Sequence, residues 1–100
     1  MVFTNCPDAQ SATALAQHLV EQKLAACVNV LGACTSVYRW RGAMERAQEV
    51  PVLIKTTHAA YDRLAAAIRA HHPYELPEIV AVRLEAGLPE YLNWVRSEVE

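Results

Sequence analysis

A chain of 100 residues with a formal net charge of −2 has room for one packed domain, and its nine scattered Lys and Arg residues offer no stripe to a nucleic-acid backbone. No apolar run approaches the roughly 20 residues of a membrane span, and the first residues lack the basic-then-apolar order of a signal peptide. The expectation is one soluble, cytoplasmic domain over 1–100, bound to neither nucleic acid nor membrane. Its three cysteines, Cys6, Cys27 and Cys34, are expected to be reduced, because an odd set without CxxC spacing supports neither a disulfide framework nor a zinc site needed for folding.

Met1 to Asn5 reads as a short strand stopped by Pro7-Asp8, and Asp8 or Ser11 is placed to cap a helix. Ala12, Leu15, Ala16, Leu19 and Val20 then fall at helical spacing, with the helix ending near Lys23. Ala26 to Val30 and Thr35 to Trp40 are rich in valine, threonine and aromatics, and predict one long strand bent or bulged at Gly32. Arg41-Gly42 supplies a turn. Val50, Val52 and Ile54 alternate with Leu53 and Lys55 in a third strand, entered through the polar stretch 45–49. Pro51 cannot donate to a ladder, so irregular pairing is expected there.

Tyr61, Leu64, Ala65 and Ile68 mark a second helix, and His72-Pro73-Tyr74 with Pro77 forces the chain into an extended loop. A fourth strand is predicted over Ile79 to Leu84. Beyond Gly87, Pro89 suits a first helical turn, and Leu88, Tyr91, Leu92, Val95 and Val99 repeat at helical spacing. The fold class is α+β, with a ferredoxin-like βαββαβ antiparallel sheet and a C-terminal helix. Apolar residues on both parities of the second strand call for a cover on both sheet faces. Partner subunits or the terminal helix would each serve.

Six segments in register resemble the CutA divalent-cation-tolerance family. They are Cys6-Pro7-Asp8, the run Leu-Ala-Ala-Cys-Val-Asn at 24–29, Ser-Val-Tyr-Arg-Trp at 36–40 with Gly42, Ile54-Lys55-Thr56, His72-Pro73-Tyr74-Glu75 with Pro77-Glu78, and Tyr91-Leu92-x-Trp94. The resemblance implies a PII-like homotrimer in which the extended hairpin strands of neighbours pair, with Tyr38 and Trp40 as interface anchors. Closing such a hairpin against identical copies removes an exposed edge that would otherwise invite aggregation.

The family's function is tolerance to divalent cations, with a proposed copper site made from a thiol, an imidazole and a carboxylate. Thiolate and imidazole favour copper over calcium or magnesium, and a carboxylate offsets the ion's charge. Carried over by residue, the imidazole falls on His71 and the carboxylate on Glu49. The family's thiol position is occupied here by Thr4, so the metal set is His71, Glu49 and Cys6, with Cys6 displaced along the strand by roughly 6.5 Å. Against that set stand plainer readings: Cys6 as a small buried hydrophobe, His71 as a helix-end residue bonded to backbone or solvent, and Glu49 as a solvated charge. His72 reads as the turn residue of His-Pro-Tyr.

No Gly-rich phosphate loop, HExxH or GxSxG occurs, so no enzyme is expected. The alternative to metal binding is a PII-like sensor or scaffold that takes a small ligand or partner protein at clefts between subunits, with Lys55, Arg39, Asn29 and Glu78 as candidate cleft residues.

Overall fold

Asp8 marks the point where strand gives way to helix. Its Oδ1 accepts from the Ser11 amide at 2.7 Å, which caps α1 (Ala9–Glu21) just after β1 (Val2–Cys6). Hydrogen bonding from Ser11 also holds the Asp8 carboxyl below its ordinary range. Ala12, Leu15 and Leu19 are the buried residues of α1, while Val20, at the margin of the expected stripe, stays exposed. A positive φ of 56° at Lys23 then turns the chain out of helix.

The computed structural model describes residues Met1–Glu100 and continues with β2 (Cys27–Val30), β3 (Cys34–Trp40) and β4 (Ala43–Lys55). A 3₁₀ turn then leads into α2 (Tyr61–His71), followed by β5 (Val80–Ala81) and α3 (Pro89–Glu98). The strands run β2-β4-β1-β5, with β3 pairing β4 beyond the end of β2, and every neighbouring pair is antiparallel. With β2 and β3 taken as one interrupted strand, this is the ferredoxin-like α+β order.

Three expectations change. The single strand across 26–40 is broken at 31–33, because β2 and β3 share one partner, β4, with a gap between them. Conversely, the polar stretch 45–49 is no mere entry but part of β4, where pairing with β3 satisfies the backbone whatever the side chains. Pro51 keeps register with Asn5 of β1 and lies where the other partner of β4 changes from β3, ending at Glu49, to β2, starting at Val52. A residue without an N–H thus occupies the gap in the ladder, and its carbonyl still accepts from the Leu31 amide at 2.9 Å. The fourth strand is shorter than expected. Only Val80 and Ala81 pair with β1, and Met1 and Val82 add a reciprocal pair of 2.8 Å bonds.

The core lies between sheet and helices. Val2, Val52 and Ile54 meet Leu19, Leu64 and Ile68, each buried. Full burial of a side chain of this size stabilises by about 1.5–3 kcal/mol. By contrast α3 buries Val95 alone, and Leu88, Tyr91 and Trp94 stay exposed along with Val80, Val82 and Leu84. The terminal helix therefore does not finish the second cover by itself.

Candidate binding cleft

The β3–β4 hairpin closes through Arg41 and Gly42, both at positive φ (50° and 81°), as a two-residue turn matched to the twist of its strands demands. The hairpin projects from the core, and the 73–78 segment lies alongside it. Anchors at the tip and at the base hold that segment, along with an Asn5–Glu78 hydrogen bond. At the tip, Arg41 Nη2 pairs with Glu75 Oε2 at 3.2 Å, an exposed pair worth about 0–1 kcal/mol. At the base, buried His72 uses both ring nitrogens: Nδ1 accepts from the Tyr74 amide at 3.1 Å, which leaves Nε2 protonated to donate to the Asn5 carbonyl at 2.5 Å. His72 is thus a positioning residue with no lone pair left for a metal.

Between hairpin and segment opens a cleft of about 820 Å³. Asn5, Tyr38, Trp40 and Tyr74 line it with three carboxylates, Glu49, Glu75 and Glu78, and no Lys or Arg. Asn5 Nδ2 donates to Glu78 Oε1 at 3.3 Å. Glu49 stands apart. Only 9% exposed, it has no ion pair within the chain. Tyr74 lies close enough to respond to it: burial first, then the bonding tendency and charge of Glu49, push the phenol up to about 12. A cleft lined by three carboxylates and no Lys or Arg carries a negative potential that favours a positive ligand.

The structure separates the three residues singled out as metal ligands. Cys6 is 1% exposed in the core, and burial first, then the charges of Asp8 and Glu49, push its thiol up. Its register partner is Val50, so strand alternation turns the preceding Glu49 to the opposite sheet face. His71 stands exposed on α2, its Nδ1 2.9 Å from the Ala67 carbonyl and its ring 4.1 Å from that of His18. Of the other candidate cleft residues, Glu78 lines this cleft, while Lys55 bonds Asn29 and lines a different one. Sequence reasoning missed Asn5. Its parity, alternate to Thr4 and Cys6 on β1, was the available signal, since it places the amide on the face of Glu49.

A family model described as "CutA1 divalent ion tolerance protein" matches residues 1–98. The chain belongs to this family. It is 44% identical over 97 residues to the divalent-cation tolerance protein CutA of Thermus thermophilus, covering 97% of this chain and 94% of that one. The solved structure of the divalent cation tolerance protein (Cut A1) from the same organism superposes with a TM-score of 0.97 at 42% identity, over 99% of this chain and 96% of that one. That of Archaeoglobus fulgidus, described as a periplasmic divalent cation tolerance protein, does so at 0.95 and 34% identity, over 99% and 96%. The chain spans only 55% of the mammalian relatives it matches.

Membership in the CutA1 family raises the question of whether these residues fit a copper ion. Within one subunit they do not fit as a set: no three His, Cys, Asp or Glu side chains are grouped to hold a metal. The family's thiol position, Thr4, is equally unsuited. It is 1% exposed, and its hydroxyl is the one buried side-chain polar atom without a partner.

Proposed function

We propose that the chain serves divalent-cation tolerance as a non-enzymatic binding subunit of a homotrimer, accepting a cation in the acidic cleft through Glu49. The observation that carries this reading is Glu49, 9% exposed and without an ion pair, in a cleft that holds two more carboxylates and no Lys or Arg. The three carboxylates are not grouped around one point, so Glu49 is the charged donor, and the Asn5 amide and Ser36 hydroxyl along the same cleft wall offer further oxygens suited to hard and intermediate divalent ions. Copper held by His71, Glu49 and Cys6 together is not part of this reading.

Assembly is supported by what the single chain leaves uncovered. Val37, Tyr38, Trp40 and Met44 are exposed on a hairpin whose β3 pairs only with β4, so one long edge is free. Identical copies closing that edge around a threefold axis would cover both the edge and its apolar side chains. Sedimentation is expected to give a particle three times the 11.1 kDa of the chain, and a folded 11.1 kDa monomer at micromolar concentration would sink the trimer. Three free thiols are in keeping with a cytoplasmic setting, which cell fractionation tests.

The cleft is tested by calorimetric titration of manganese(II) and copper(II) into wild type, Glu49→Gln and His71→Ala. Glu49→Gln is expected to weaken binding tenfold or more and to lower the Tyr74 pKa from about 12 toward its ordinary 10.0, while His71→Ala leaves both unchanged. Equal binding by wild type and Glu49→Gln overturns the reading. The same phenol fixes a pH trend. Because the folded chain holds the Tyr74 proton more tightly than the unfolded chain, its contribution to stability is fully present below pH 10 and is lost as pH rises through about 12.

A further inference from the structure

The opposite end of β4 borders a second cleft of about 710 Å³, within the range of small-molecule sites. Lys55, Arg83 and Arg96 converge on it with the Met1 α-amino group, and no Asp or Glu lines it, although acidic residues outnumber basic ones in the chain. None of these cations is used in an ion pair. The chain's two ion pairs, Lys23–Glu100 and Arg41–Glu75, lie elsewhere. Lys55 bonds the Asn29 side-chain oxygen, Arg96 the Asn93 side-chain oxygen at 3.0 Å, and the Met1 amine the Val82 carbonyl at 2.8 Å; Arg83 has no partner. All the acceptors met are neutral, so the positive charge of the cleft is uncompensated.

Two further features narrow the ligand. Thr57 contributes a hydroxyl whose oxygen accepts from the Ala60 amide at 3.3 Å, which leaves its proton free to be donated. Tyr61, Leu84, Leu92 and Val95 add apolar side chains to the same lining. Guanidinium forks match phosphate oxygens in pairs, and three positive charges suit a dianion better than a single carboxylate. We propose that this cleft binds a small organic phosphate, its phosphate held by Lys55, Arg83 and Arg96 and its apolar portion laid against Leu92 and Val95. The site is separate from the Glu49 cleft and does not depend on cation binding there.

Phenyl phosphate, inorganic phosphate and phenol serve as probes in calorimetry at low ionic strength, where exposed cations are least screened. Wild type is expected to bind phenyl phosphate saturably, inorganic phosphate at least several-fold more weakly, and phenol not at all. Arg83→Gln/Arg96→Gln, both at exposed positions, is expected to keep the wild-type unfolding temperature and to weaken phenyl phosphate tenfold or more; Lys55→Gln is expected to weaken it as well. Glu49→Gln is expected to leave it unchanged. Failure of wild type to bind phenyl phosphate, or equal binding by the double variant and by Lys55→Gln, overturns the site. Equal affinity for inorganic and phenyl phosphate overturns the organic ligand class.

Discussion

β4 is one strand with two different halves. From Ala43 to Gln48 it is exposed or half-exposed and pairs only with β3, whose Ser36, Val37, Tyr38 and Trp40 line the cleft that holds Glu49, Glu75 and Glu78. From Val50 to Lys55 every second residue is buried, the strand has partners on both sides from Val52 to Ile54, and it ends in the cleft that holds Lys55, Arg83, Arg96 and the Met1 amine. The outer half is a strand because its backbone is paired; the inner half is one because its side chains are also packed. The difference separates stability from binding: the inner half holds the fold, and the outer half carries a surface that is nearly all available to a ligand or a second copy.

The contrast is open to direct attack, beginning where the effect is greatest. Ile54→Ala, at a fully buried position of the inner half, is expected to destabilise by about 2–5 kcal/mol in denaturant unfolding, whereas Arg46→Ala in the outer half stays within about 0.5 kcal/mol. Similar losses at both positions would erase the distinction. His72→Ala removes the anchor at the base of the acidic cleft, with an expected loss of about 1–3 kcal/mol and a fall of the Tyr74 pKa from about 12 toward 10 as the 73–78 segment detaches. An unmoved Tyr74 titration would show that the segment is held by other means. Gly42→Ala meets no atom within 4 Å but must adopt a φ of 81°, so a loss of about 1 kcal/mol is expected from backbone strain alone. Unchanged stability would mean that the hairpin tip relaxes freely.

Much of the scaffold was legible beforehand because the signals were local. Asp8 three residues before Ser11 announced the cap, Leu15, Leu19, Leu64 and Ile68 announced the buried helix faces, and Pro89 announced the start of α3. The polar stretch 45–49 misled because periodicity records which side chains are buried, and an exposed two-stranded hairpin buries few on either face. The candidate site was less legible still. His71, Glu49 and Cys6 were gathered by resemblance, yet Glu49 and Cys6 differ in strand parity and His71 sits on a helix surface against His18. His72 fared better, since a histidine before Pro-Tyr is well placed to tie a turn, as its two ring bonds do.

Apart from the break at 31–33, the amino-acid sequence alone determined the order of elements, the cap at Asp8, the turn at Gly42 and the family, since each depends on neighbours a few residues apart or on motifs in register. Only the tertiary structure decided that Glu49, Glu75 and Glu78 share one cleft while Lys55, Arg83 and Arg96 share another. Glu49 and Glu75, or Lys55 and Arg96, are far apart along the chain and meet through strand register and the path of a loop. The charge of a cleft is a sum over such distant contributors, and no local pattern records it.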